Sequence, residues 1–188
     1  MRYMRTTGVD EVGVGCLAGP VISAAVCFGN KKPSAIFKDS KKLSENQREK
    51  LYKYIKQNCH VAIGIATAFE VYKINVLKAT HLAMKRAIYN LPINPGLVLI
   101  DGLYVPDGIC NARAIVKGDE LHQEIAAASI YAKYFRDNLM RLYGINYFQY
   151  SLENNKGYPT KEHKKAINEH GLSTVSYTHL RAHETARH

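Results

Sequence analysis

The chain has 188 residues, 46% of them hydrophobic and 22% charged. That length and balance suit one folded domain and exclude a largely disordered chain. No run approaches the ~18 apolar residues of a membrane span, and Lys and Arg outnumber Asp and Glu by 26 to 16, a net charge of +10 that favours a polyanionic partner, most often nucleic acid.

In chain order, residues 7–14 and 21–28 are apolar and β-branched, separated by a Gly-rich segment with Pro20, and predict two strands. Residues 38–44 are a polar connection. Ser44 and Gln47 form a capping-box pattern, and Leu51, Tyr54 and Ile55 follow at helical spacing, which predicts a helix to about Asn58. Residues 60–67 alternate enough for a third strand. Residues 74–91 predict an amphipathic helix ending at Pro92, with Leu77, Leu82 and Ile88 among its apolar positions. Residues 97–100 and 112–116 predict two short strands, ending at Asp101-Gly102 and Lys117-Gly118-Asp119. Residues 121–143 are long, apolar and Ala-rich, hence one buried helix or two. Thr160 caps a last helix to about His170, stopped by Gly171. The order predicts a mixed α/β sheet with helices on its faces.

Two features concern the ends of the chain and its compartment. Residues 1–5 have a charged front but no apolar block, so no signal peptide is expected. Cys16, Cys27, Cys59 and Cys110 are scattered without a C-x-x-C pair, which fits reduced thiols and a cytoplasmic location. Residues 175–188 begin VSYTHLRAHET, which looks like a translated sequencing-library adaptor and has no apolar period. The expectation is a catalytic domain over residues 1–174 with its own C-terminus missing, followed by a non-native tail. The basic excess survives removal of residues 175–188.

The chemistry lies in the acids. Asp10 and Glu11 in GVDEVG, Asp101 in VLIDG and Asp119 in VKGD sit at the ends of apolar strands. A carboxylate there is costly unless paired, and adjacent carboxylates raise each other's pKa. Each alone reads as a turn or cap residue; the four together read as a site for a hard divalent cation, which takes oxygen ligands. Side chains alternate along a strand, so Asp10 is expected to be central, with Glu11 reaching in from a distortion around Gly13 and Gly15.

GVDEVGVGCLAGPVISAAV, DSKKLSE, LIDG, VKGD, AAASIYAKYFRD and KGYPTKEH resemble, in order and spacing, the motifs of the ribonuclease HII family, over about residues 8–171. The resemblance implies a ribonuclease H-like fold, a five-stranded mixed sheet flanked by helices with a helical C-terminal region. It implies an endonuclease that hydrolyses RNA in RNA–DNA hybrids and cuts 5′ of a ribonucleotide embedded in duplex DNA, leaving 3′-hydroxyl and 5′-phosphate ends. Asp10, Glu11, Asp101 and Asp119 would be the catalytic acids and would hold Mg²⁺ or Mn²⁺. Gly13, Val14 and Gly15 would form the loop that grips the scissile region. Tyr158 would pack on the ribose and sense its 2′-hydroxyl, and Lys41 and Lys42 would be phosphate contacts. A monomer without a membrane partner is implied, with a role in removing misincorporated ribonucleotides or primer remnants.

Some residues read more locally. Lys133, Arg136 and Asp137 are expected to stabilise the long helix or the acid cluster, and His81, His122, His163 and His170 to be surface or helix-end residues. The sequence departs from the family where Val14 replaces an arginine between the two glycines, removing a charged phosphate contact. Cys16 replaces a usual proline, which should only loosen the turn. Two other readings stay open: a non-catalytic nucleic-acid-binding relative, and a different metal-dependent nuclease on the same fold, such as a resolvase or integrase core.

Overall fold

The computed structural model describes residues 5–29, 33–37 and 40–177. Five strands form one mixed sheet in the order β3-β2-β1-β4-β5. β1 (Thr6–Val12) and β2 (Val21–Cys27) are antiparallel, and β3 (His60–Ala66) is antiparallel to β2. β4 (Leu97–Asp101) and β5 (Ala112–Ile115) run parallel to β1. β2 is buried along its whole length, which explains its unbroken apolar run.

Helices cover both faces. α1 (Glu45–Asn58) and α5 (Gln123–Asn146) pack Ile55, Ala126, Ala127 and Ile130 against Ala24 and Val26. On the other face α3 (Val76–Tyr89) packs Met84, Ala87 and Ile88 against Val9, Ala25 and Val98. The remaining helices are α2 (Ala68–Ile74), α4 (Gly118–Leu121), α6 (Leu152–Asn155) and α7 (Lys161–His170). Ala18, Met140, Tyr150, Leu152 and Ala166 join the C-terminal helices to α5. Among the described residues no helix is long and apolar enough to cross a membrane.

The local signals explain most element ends. Ser44 and Gln47 form the complete capping box of α1, and Thr160 accepts the His163 N–H at the start of α7. The predicted helix over residues 74–91 is α3, and a further helix that was not expected, α2, precedes it. Thr67 and Glu70 cap α2 with their own box, and Asn75 at φ 67° separates it from α3. Leu77 is 54% exposed, whereas Ala79, Ala83, Met84 and Ala87 are buried. Ile88 is buried as expected, and the small side chains of Ala79, Ala83 and Ala87 let α3 lie close to the sheet. The helix expected over residues 121–143 is α5, with the single turn α4 before it, separated at His122.

Two details position the site. α5 runs directly over β1: a Cβ on Gly8 would lie 2.0 Å from the carbonyl carbon of Glu124. β1 pairs with β4 only as far as Val9↔Ile100 but stays paired with β2 to Val12↔Ile22. The sheet therefore opens on the β4 side at Asp10.

The last described residues are packed. Gly19 donates to the Val175 carbonyl at 2.8 Å, Tyr177 donates its N–H to Leu17 at 2.9 Å, and the Tyr177 side chain is buried. Packing thus runs three residues past the expected boundary at 174. Residues 178–188 of the adaptor-like segment lie outside the described residues.

Candidate active site

The opening between β1 and β4 collects the acids. Asp10 is buried, and its backbone is fixed from both sides. Its carboxylate accepts the Glu11 N–H at 2.7 Å and its carbonyl accepts the Ser23 hydroxyl at 2.8 Å. Burial, Glu11 and Asp101 together push Asp10 well above the ordinary carboxylate range. Ser129 of α5 hydrogen-bonds the Asp10 carboxyl and meets Ser40 at 2.9 Å.

Glu11 is raised to about 7, first by burial and then by Asp101. It lies in regular strand paired with Ser23, so no distortion at Gly13 is needed to bring it in. The ending of the β1–β4 ladder after Val9 supplies the room. Asp101 ends β4 and accepts the Gly118 N–H at 2.7 Å. Burial raises it, and Asp119 adds to that. Asp119 itself stands in the first turn of α4, past a left-handed Lys117, rather than on a strand end.

These carboxylates repel one another, and the Glu11 Oε2 is buried without a hydrogen-bond partner. Oxygen donors that raise each other's pKa fit a hard divalent cation, which would relieve both costs. Among the described residues no three such groups already converge at ligating distance.

The two lysines divide. Lys41 sits in a 3-10 turn (Ser40–Lys42), where its charge favours the ionised forms of Glu11 and Asp101. The turn is held by Arg48, which donates to the carbonyls of Ser40 and Leu43. Lys42 instead faces Glu120 at 3.7 Å, with both side chains exposed.

The segment after β1 and the turn bearing Tyr158 are joined where the Leu17 N–H donates to the Gly157 carbonyl at 2.8 Å. Val14 is exposed, and Gly15 faces open space. Gly13 has φ 103°, and a Cβ there would lie 2.6 Å from Arg136 Nε, so glycine is needed for both reasons. Tyr158 is half-buried, with Lys133 Nζ at 5.3 Å and Arg136 Cζ at 5.9 Å from its ring centre.

Three expectations for neighbouring residues change here. Cys16, expected only to loosen the turn, is buried beside Tyr158. His163 is not a surface residue: it is fully buried, its Nδ1 is 2.9 Å from the Tyr158 carbonyl, and its Nε2 has no partner. It begins the apolar stripe of α7, and only the position of the preceding turn shows that its partner is Tyr158. Asp137 does pair with Lys133, at 2.8 Å, but its second partner is Arg48 at 3.9 Å. Arg136 makes no ion pair among the described residues and binds backbone carbonyls instead.

Sheet order, flanking helices and acids gathered at a sheet opening define an α/β domain of the ribonuclease H-like class. A family model of ribonuclease HII matches residues 7–184. A ribonuclease HII of Borreliella burgdorferi is 49% identical over 171 residues, covering 89% of this chain and 94% of that protein. One of Maricaulis maris is 44% identical over 183 residues, covering 95% and 84%. The chain belongs to the ribonuclease HII family and is a metal-dependent ribonuclease H acting on RNA–DNA hybrids. The ribonuclease H2 of Pyrococcus horikoshii shares the fold, with TM-score 0.78 at 24% identity over 98% of this chain and 96% of that one. So does a ribonuclease HIII solved in complex with Mn²⁺, with TM-score 0.69 at 19% identity over 98% and 70%.

Proposed function

We propose that this enzyme, besides hydrolysing RNA in hybrids, cuts duplex DNA on the 5′ side of a single embedded ribonucleotide by metal-assisted phosphodiester hydrolysis. The observation that carries the reading is the acid cluster: three partly or wholly buried carboxylates with raised pKa at the opening between β1 and β4 of a strongly basic chain. Asp10, Glu11 and Asp101 would hold the ions, Mg²⁺ or Mn²⁺, with Asp119 completing the set. When bound, a pair of such ions supplies Lewis acidity for activating water and stabilising the leaving oxygen in an in-line displacement.

The protein's own part is positioning. Ser129 and the Glu11 N–H orient the Asp10 carboxyl, and the Gly118 N–H orients Asp101. Lys41, beside the acids, would receive a non-bridging phosphate oxygen. Lys42, committed to Glu120, would be a weaker phosphate contact. Gly13, Val14 and Gly15 would let backbone N–H groups approach the ribonucleotide, and the Tyr158 ring would stack on its sugar beside the 2′-hydroxyl. No nucleophilic Ser or Cys is required.

The protein is proposed to work as a monomer in the cytoplasm. Four free cysteines favour a reducing compartment. A relative in fold, from Archaeoglobus fulgidus, was solved as a PCNA:RNase HII complex, so a sliding-clamp partner is the natural alternative to test. The adaptor reading of the tail rests on its sequence, and packing continues past Thr174 to Tyr177, the last described residue.

The test is cleavage of an end-labelled DNA duplex carrying one ribonucleotide, with Mg²⁺ or Mn²⁺, beside an all-DNA duplex and an Asp10→Asn variant. One cut 5′ of the ribonucleotide, absent from both controls, is expected. Cleavage of hybrids alone would confine the enzyme to continuous RNA strands.

A further inference from the structure

Arg136 is the largest fully buried side chain among the described residues. Its Nε donates to the Pro20 carbonyl at 2.9 Å, one terminal nitrogen to Ala18 at 3.0 Å, and the other to Lys156 at 2.8 Å. It lies against Gly13 and Gly19, so the loop from Gly13 to Pro20 wraps around it. Its guanidinium carbon is 5.9 Å from the Tyr158 ring centre. Two segments far apart in sequence, the glycine loop and the turn bearing Tyr158, therefore share one cation.

The energetics make this arrangement informative. A buried guanidinium without a carboxylate carries a desolvation cost that a well-packed apolar side chain would avoid. Carbonyl dipoles and a ring face offset it only while both segments stay in place. The fork has fixed geometry, so three carbonyls bound at once fix the spacing between the loop and the turn. Lys133, one turn earlier on α5, lies over the same ring and pairs with Asp137. One stretch of helix thus faces the phenol from two positions.

We infer that Arg136 is a positioning residue that sets Tyr158 against the Gly13–Gly15 loop, so that recognition of the ribonucleotide depends on it although it does not touch substrate. The inference rests on the proposed role of Tyr158. The two fail separately in a double-mutant cycle with Arg136→Met, Tyr158→Ala and the double variant, read as kcat/KM on the single-ribonucleotide duplex. Hydrogen exchange of residues 13–20 and 155–158 is measured alongside.

Arg136→Met is expected to lower kcat/KM roughly tenfold to a hundredfold, as a displacement of about 1 Å does. The metal concentration for half-maximal activity should not move, and both segments should exchange faster together. The double variant should be no slower than Tyr158→Ala alone. Effects that multiply, or segments that stay protected, overturn the inference. If Tyr158→Ala has no effect, the sugar-sensing role falls and exchange alone decides the coupling. If Arg136→Met does not fold, Arg136→Lys takes its place under the same criteria, because one ammonium cannot reproduce the fork.

Discussion

The two sides of the proposed active site are built on opposite principles. On the β4 side stand carboxylates that repel one another, one with a buried oxygen lacking any partner. On the Tyr158 side a buried cation has three carbonyl partners, and the turn is knitted by Asn155, which accepts the Gly157 N–H and donates to Tyr150. On the proposed reading an ion would complete the first side. The second is held by protein hydrogen bonds already formed, although the buried His163 Nε2 has no partner. A metal site must leave its ligands unsatisfied to have affinity, whereas a site that reads shape gains from being rigid in advance.

The sharpest way to break this contrast is Asp10→Asn. Activity should fall by about a thousandfold or more, on the scale of removing one charge-stabilising group from a reaction centre. The same change should raise the Tm of the metal-free protein by a few degrees. The sign follows from the shifts. A carboxyl raised in the folded state disfavours its charged form there, so it destabilises the fold as pH rises above the ordinary carboxylate value. Metal-free protein should therefore melt higher at about pH 5 than at about pH 8, with Glu11 titrating near 7, and Asp10→Asn should shrink that difference. Calorimetry with a chelator present checks this. A variant that melts lower would mean the cluster is not strained.

His163→Ala tests the Tyr158 side. Removing a fully buried ring that meets the Tyr158 carbonyl should cost about 2–4 kcal/mol, from the cavity and the lost partner. Urea unfolding measures it; a cost below about 0.5 kcal/mol would show that the Tyr158 turn holds without it.

Val14→Arg sharpens the loop's part. An exposed cation beside open space should improve kcat/KM severalfold, within about 1–3 kcal/mol for a charged hydrogen bond, and steepen its salt dependence. An unchanged kcat/KM across a salt series would remove the deficit assigned to valine.

The smallest expected effect lies away from the site. Arg86 donates to Glu70 at 2.7 and 2.9 Å and holds that carboxyl down to about 2. A lowered carboxylate pKa stabilises the fold above the ordinary value of 4.5 and is lost as pH falls toward 2. Glu70→Gln should cost less than about 1 kcal/mol at neutral pH, because the pair is partly exposed, and nothing in strong acid. Acid-titrated unfolding would reveal a different dependence.

The strands, the capped starts of α1 and α7, and the four acids were legible in the amino-acid order. Those signals are local: period, cap chemistry and a charge out of place among apolar neighbours. It could not reveal that Asp119 rides on α4, that Glu11 needs no bulge, or that Leu77 faces outward while alanines are buried. Each of these depends on which element passes nearby: β4 leaving β1 after Val9, or α3 lying close on the sheet. Arg136 and His163 are the clearest cases. In sequence one is a helix charge and the other a helix histidine; only the tertiary structure puts both against the turn that carries Tyr158. A buried polar group takes its meaning from partners more than a hundred residues away, such as Pro20 for Arg136, and no local pattern encodes that distance.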